Sequence, residues 1–275
     1  MRRISNLAYL CGEINRKKAV CAVIVQLSRQ SKEEMKVMKI VFATANAGKL
    51  REARGILGEG FEVVSPADLG HPEDIEETGK TLKANSLLKA KYIVDNLGLD
   101  CFSDDSGLEV DVLGLQPGIM TARYAGVAHD SDANMSKLLR EMDRRLFEAS
   151  IAREFGLSTP YATRRARFRT VVTLILDGKT HFFEGVLEGK IGLLREGTGG
   201  FGYDPIFIPD RIPLCAAEEF MKGSSFTLTP DADGLVPNVG QLTNAQLGDD
   251  VKNQISHRGK AMRQLVAYLK DSQAS

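Results

Sequence analysis

The stretch "MKIVFATANAGKLREARGIL", residues 38–57, decides how this chain folds. Its first part, "MKIVFATAN", is apolar and partly β-branched, as a buried strand is. Its second part sets Leu50, Ala53, Ile56 and Leu57 on one helical face. A strand that turns at once into a helix leaves the first helical N–H groups pointing outward, which suits an anion. Lys49 falls in the first helical turn, where a cation opposes the helix dipole, so a negative group nearby would account for it. The turn is not a Walker loop, which needs GxxxxGK[ST].

Working outward, "FEVVSP" reads as a second strand and "HPEDIEETG" as an acidic loop. "KTLKANSLLKAKYIVDNLG" is a helix whose buried stripe is Leu82, Leu87, Ala90, Ile93 and Val94, with Gly98 as its stop. "LDCFSDD" is a strand with Asp104 and Asp105 at its end, and "GLEVDVLG" alternates like another strand. "DSDANMSKLLREM" opens with capping residues and continues as a helix, whereas "REFGLSTPYATR" reads as a loop. "RARFRTVVTLILDGKTHFFEGVLEGKIG" is a hairpin turning at Asp177-Gly178. "REGTGGFGYDPIFIP" is a glycine-rich loop, and residues 210–245 read as an irregular insertion. "SHRGKAMRQLVAYLK" closes the chain as a helix with Ser256 as its cap. Strands that alternate with helices early, followed by a hairpin, predict an α/β fold with a mixed sheet.

The 275 residues suit one large domain or two small ones. Lys plus Arg and Asp plus Glu both total 36, so no global field draws the chain to nucleic acid or to an anionic membrane, although a local basic pocket stays open. Cys11, Cys21, Cys101 and Cys215 form no CxxC pair and no zinc spacing, and read as reduced thiols of a cytoplasmic protein. No apolar run is long enough to span a bilayer. Residues 1–37 carry "AVCAVIVQL" between "NRKK" and "SRQSKEEMK" with no cleavage site after it. They read as an extension, poorly ordered or due to an upstream start codon, ahead of a domain at 38–275.

Three further stretches carry chemistry. Adjacent carboxylates at 104 and 105 repel, and burial raises their pKa, so both favour protonation unless a cation compensates. Magnesium is such a cation, with Glu76 and Glu77 able to add a third carboxylate. The plainer alternative is an aspartate capping a turn completed by Ser106-Gly107. In "GTGGFGYDP" (197–205), Phe201 and Tyr203 offer faces for stacking a base and Asp204 an acceptor; the alternative is a hairpin rim with buried aromatics. In "SHRG" (256–259), Arg258 can only donate and so favours a carbonyl over an amine, while His257 can do either; the alternative is a cap and a solvated basic turn.

Taken in order, "TANAGKLRE", "EETGKTLKANSLLKA", "DDSGLEVDVLGLQPGIMTARYAG", "GTGGFGYDPIF" and "SHRGKAM" resemble the inosine triphosphate pyrophosphatase, or Ham1-like, family from about residue 39 to 270. The resemblance implies hydrolysis of non-standard purine nucleotides (ITP, dITP and XTP) to the monophosphate and pyrophosphate, with Mg2+, which keeps them out of DNA and RNA. It implies a homodimer, and an elongated mixed sheet with flanking helices in two lobes around a central active-site cleft. Carried over, Thr44, Ala45, Asn46, Ala47, Gly48 and Lys49 would bind the triphosphate. Asp105 would be catalytic base and metal ligand, and Ser106 would touch substrate. One of Glu76 and Glu77 would be a further metal ligand. Phe201, Gly202, Tyr203 and Asp204 would hold the base, and Lys252, His257 and Arg258 would complete the site. Two rivals stand beside this reading. One is a Maf-like pyrophosphatase preferring other nucleotides, against which the "SHR" and "FGYD" stretches argue. The other is a nucleotide sensor without turnover, which would not need the paired aspartates.

Overall fold

Each half of the 38–57 stretch adopts the expected element. Met38–Phe42 is strand β1, and Ala47–Leu57 is helix α1, capped by the Asn46 side chain, which accepts from the Lys49 N–H. The structure, a computed structural model, describes residues 37–71, 75–127, 129–222 and 227–273. Apart from Val37, the extension expected over residues 1–37 lies outside them. Beyond α1 come β2 (Phe61–Val64), α2 (Leu82–Leu97), β3 (Cys101–Val110), β4 (Gln116–Gly118), α3 (Ser131–Glu154), β5 (Arg165–Leu176) and β6 (Lys179–Ile191). Then follow β7 (Phe207–Pro209), β8 (Arg211–Pro213), α4 (Leu214–Phe220), β9 (Leu235–Pro237), α5 (Asp249–Ile255) and α6 (His257–Gln273).

Seven strands form one mixed sheet in the order β2-β1-β3-β5-β6-β7, with β4 also on β3. β2, β1 and β3 run parallel, and the remaining pairings are antiparallel. In β1, Ile40 and Phe42 point to one face and Val41 to the other, and all are buried, as in a parallel strand covered on both sides. On the first face, Ile40, Phe42, Phe102, Val172 and Leu174 pack against Ala53 and Leu57 of α1 and Leu265 and Leu269 of α6. On the second, Val41, Cys101 and Ile175 pack against Ala90 and Ile93 of α2. The far end of the sheet has its own core, where Leu108, Val110 and Phe207 meet Met135, Leu138 and Met142 of α3.

Four local expectations hold. Gly98 ends α2 in the left-handed conformation, Asp130 caps α3, and the Ser256 hydroxyl accepts from the Gly259 N–H at the start of α6. The β5–β6 hairpin turns at Asp177-Gly178, both with positive φ, as a two-residue turn of matching twist requires.

Three expectations need correction. Asp104 and Asp105 are not at a strand end but in the middle of β3, opposite Val172 and Val171 of β5. The sequence alternation restarting at Gly107 is the same strand continuing. α3 runs on to Glu154, past the stretch read as helix and into the first two residues of the expected loop. Its extension leaves Phe147 and Ile151 exposed, and is supported instead by the Arg144 pairs to Glu141 and Glu148 one turn away, with no breaker before Gly156. Residues 210–245 are partly regular, because β8 pairs antiparallel with β9 and α4 lies between them.

β3 pairs with β1 only at Cys101 and Phe102, and with β4 only at Leu108–Val110. Among the described residues, 103–107 therefore have β5 on one edge and no strand on the other. This gap, at the carboxyl end of β1, is where an open α/β sheet accepts a ligand.

α6 reaches the sheet over Gly185 of β6, where a Cβ would collide with the His257 carbonyl oxygen and lie 2.7 Å from the Ala261 nitrogen. Gly185→Ala is expected to lower stability by about 1–3 kcal/mol in urea unfolding. Gly55→Ala, in α1 with nothing within 4 Å of its new methyl, is expected to raise it by about 0.5–1 kcal/mol.

Candidate active site

Successive side chains of a strand point to opposite faces, so the two adjacent aspartates serve different surroundings. Asp104 faces α1 and α6. One of its oxygens accepts from the Lys49 ammonium at 2.9 Å and the other from Arg258 Nε at 3.0 Å. Arg258 also donates to Glu52 of α1 at 2.9 Å. Burial alone would raise the Asp104 pKa, but Lys49, Arg258 and Lys89 outweigh it and hold the carboxyl well below the usual range. The lysine that opposes the α1 dipole thus has its negative partner within the protein.

Asp105 faces α2. Its Oδ2 accepts from Asn85 Nδ2 at 3.1 Å and its Oδ1 from the Ser106 N–H at 2.9 Å. Burial pushes its pKa up to about 6, and Glu77 adds to this, while Lys89 and the Asn85 hydrogen bond pull it down. The Lys89 ammonium pairs with Glu77 at 2.6 Å. Burial lowers the pKa of Lys89, but Asp104, Asp105 and Glu77 together raise it above its ordinary value. The two aspartates are therefore unlike: one is fixed as a carboxylate between cations, and the other is poised to take or hold a proton near neutrality.

The turn Thr44, Ala45, Asn46, Ala47 and Gly48 borders the gap and is largely exposed. The Thr44 hydroxyl accepts from the Asn46 N–H, and Asn46 takes the Lys49 N–H. The Ala47 and Gly48 N–H groups that open α1 have no intrahelical acceptor. The Ser106 hydroxyl lies 2.6 Å from that of Thr170. Of the two candidate glutamates, Glu77 reaches Lys89 and acts on Asp105, whereas Glu76 is exposed.

A second cluster holds the glycine-rich segment. Phe201 is 79% exposed and offers a free ring. Tyr203 is 3% exposed and donates its hydroxyl to the Thr121 carbonyl, so it anchors the segment instead of stacking a ligand. Asp204 accepts from the Phe201 N–H at 3.1 Å and from Asn244 Nδ2 at 3.3 Å, and burial holds its carboxyl above the usual range. Gly200 has φ 77°, and a Cβ there would collide with the Asp204 carboxylate. Gly202 has φ 62°. Lys252 pairs with Asp249 at 2.8 Å and also lowers the pKa of Asp204. His257 stacks on Phe168 with ring centroids 5.0 Å apart. Burial, with Arg258 beside it, drives its pKa down to about 3, so the imidazole is neutral. Arg258, expected to favour a carbonyl of the substrate, is tied instead to Asp104 of β3 and Glu52 of α1.

Sequence reading missed Glu52, Asn85 and Lys89. The signal for two of them was in α2. Its buried stripe is Leu82, Asn85, Ser86, Lys89, Ala90 and Ile93, while Leu87 and Val94, expected inside, are half-buried. An amide and an ammonium on the buried stripe of a helix need partners, and the partners here are Asp105 and Glu77.

The model of the Ham1 family matches residues 40–222 and 233–268, and this chain belongs to that family. A dITP/XTP pyrophosphatase of Porphyromonas gingivalis is 41% identical over 231 residues, covering 84% of this chain and 97% of that protein. One from Flavobacterium johnsoniae is 38% identical over 232 residues, covering 84% and 98%. Among solved structures, the Staphylococcus aureus Ham1 protein is similar at a TM-score of 0.64 and 32% identity, covering 85% of this chain and 99% of that one.

Asp104→Asn removes a charge shared by two cations that stay behind. It is expected to lower stability by about 3 kcal/mol in urea unfolding, the order seen when a buried pair loses one partner. A loss below about 0.5 kcal/mol would show that the cations find other partners.

Proposed function

We propose that the protein is a magnesium-dependent nucleoside triphosphate pyrophosphohydrolase that converts ITP, dITP and XTP to the monophosphate and pyrophosphate, keeping them out of DNA and RNA. The observation that carries this reading is Asp105, a buried carboxylate with its pKa near 6, set in a sheet gap beside Lys49, Lys89 and a helix N-terminus. The naming of its relatives as dITP/XTP pyrophosphatases supports the substrate class.

The donor chemistry fits magnesium. Asp105 and the Glu76-Glu77 pair offer hard oxygens, and among the described residues no three acidic, His or Cys side chains form a metal group by themselves. Magnesium is usually held by one or two carboxylates together with substrate phosphates. Asp105 and a glutamate of that pair would hold it, and bound there it would neutralise phosphate charge and favour ionised Asp105. In the reaction, the α1 turn and Lys49 hold the phosphate chain, with Lys89 adding charge from α2. Asp105 takes the proton of a water as its oxygen attacks the α-phosphorus, the α–β anhydride bond breaks, and pyrophosphate leaves.

On the base side, Phe201 offers a stacking face, and Asp204 and Lys252 line the glycine-rich segment. Donors on this side, such as the N–H of the neutral His257 imidazole, suit a 6-keto oxygen. Adenine would set an amine against them, and an unpaired buried group costs about 1–3 kcal/mol. A homodimer and a cytoplasmic location belong to the same proposal and rest on the family resemblance. No described helix is long and apolar enough to cross a membrane.

The test is pyrophosphate release with magnesium from ITP, XTP, dITP, ATP, GTP and UTP side by side. Strong turnover of the first three alone is expected, and equal turnover of UTP would sink the purine reading. Asp105→Asn should abolish turnover with the fold intact, and a wild-type rate in that variant would remove Asp105 as the base. At sub-saturating magnesium, kcat/KM should fall as pH drops through about 6, because the base is then protonated. A flat profile from pH 8 to 5 would contradict this.

A further inference from the structure

Asn85 is fully buried in the first turn of α2, on a stripe it shares with Leu82, Ser86, Lys89, Ala90 and Ile93. An amide at such a position is unfavourable unless both its ends are used. Both are. Its Oδ1 accepts from the Gly79 N–H at 2.8 Å, and its Nδ2 donates to Asp105 Oδ2 at 3.1 Å. The orientation is fixed by chemistry, since the reverse would face NH2 against an N–H and a carbonyl oxygen against a carboxylate. The loop can come this close only as bare backbone. A Cβ at Gly79 would lie 2.5 Å from Asn85 Oδ1 and 2.9 Å from both Ala84 Cβ and the Asn85 nitrogen.

One helical turn further on, Lys89 holds the same loop through Glu77. The loop is thus fastened to α2 at two points, and the first also fastens Asp105. The other Asp105 oxygen accepts from the Ser106 N–H, so each oxygen has one fixed donor and the carboxylate plane cannot rotate freely.

We propose that Asn85 is a positioning residue, which sets the distance and orientation of Asp105 relative to the loop that carries Glu77. It touches no reacting atom. It acts by letting one rigid helix hold the two acidic groups from which the site is assembled. This rests on the reading of Asp105 as the base.

The test uses the full chain with Asn85→Leu, which keeps the branched shape but puts methyl groups where both hydrogen bonds were made, and Gly79→Ala, which leaves every polar group in place and displaces the amide. Asp105→Asn is the control. Asn85→Leu is expected to lower kcat for ITP about 100-fold, the order expected of a displacement near 1 Å, with KM changed less than about threefold. Calorimetric binding of IMP should stay within about threefold of wild type, and Gly79→Ala should lower kcat at least about tenfold. Adding Gly79→Ala to Asn85→Leu should cost less than about threefold more, because both act through one contact. Wild-type kcat in both variants, independent losses in the double variant, or weaker IMP binding in step with kcat would overturn the proposal. Should Asn85→Leu not fold, Gly79→Ala decides through the same kcat and IMP readouts. Asp105→Asn with wild-type turnover would instead overturn the base assignment and this proposal with it. An inactive Asp105→Asn beside active Asn85 and Gly79 variants would overturn the positioning role alone.

Discussion

The carboxylate of Asp104 is the constraint on which the rest of this structure turns. It is buried at 1% exposure on a central strand, and it accepts from a lysine of α1 and an arginine of α6. Such a group is tolerable only because both partners reach it, and both reach it only if the two helices pack on the same face of the sheet. Arg258 extends the tie to Glu52, so α1, β3 and α6 are joined by three charged contacts in addition to their apolar packing. The same contacts set Lys49 at the mouth of the sheet gap and hold the turn at residues 44–48 in place beside it.

The second requirement is the gap itself. A sheet whose strands were fully paired would bury Asp105 beyond reach. Here β1 ends after Phe42 and β4 begins only opposite Leu108, so the stretch between is open on one edge. The opening is lined by residues from both faces: Lys49 and the α1 turn on one side, Asn85 and Lys89 on the other. The cations that surround the aspartates come from elements distant in sequence, and the sheet brings them to one place.

Much of this was legible in the sequence. The 38–57 stretch shows strand, turn and helix start because a continuous apolar run gives way within a few positions to apolar residues at helical spacing. Asp177-Gly178 marks its hairpin because only such residues accept positive φ at both turn positions. The placement of the aspartates was not legible, because "SDDSG" has the composition of a turn. What keeps it extended is non-local: β5 pairs along its whole length, and cations on both faces neutralise it. Tyr203 was misjudged for the related reason that sequence does not say whether a ring's hydroxyl finds a carbonyl, as this one does at Thr121. Arg258 suggested a base reader by its donors alone, and Asp104 of β3 and Glu52 of α1 claim two of them. Lys89 and Asn85 were hidden because polar residues on a helix are assumed to face water.

Alternation along β3 has one more consequence. Asp104 and Asp105 are neighbours in sequence, yet each answers to a different side of the molecule. Whatever shifts α1 or α6 is felt first by the aspartate that holds cations in place, and whatever shifts α2 is felt first by the one whose carboxyl pKa burial pushes up. The thickness of a single strand separates the carboxylate that ties two helices together from the one held by α2, so the two can drift apart in evolution without a change in the backbone between them.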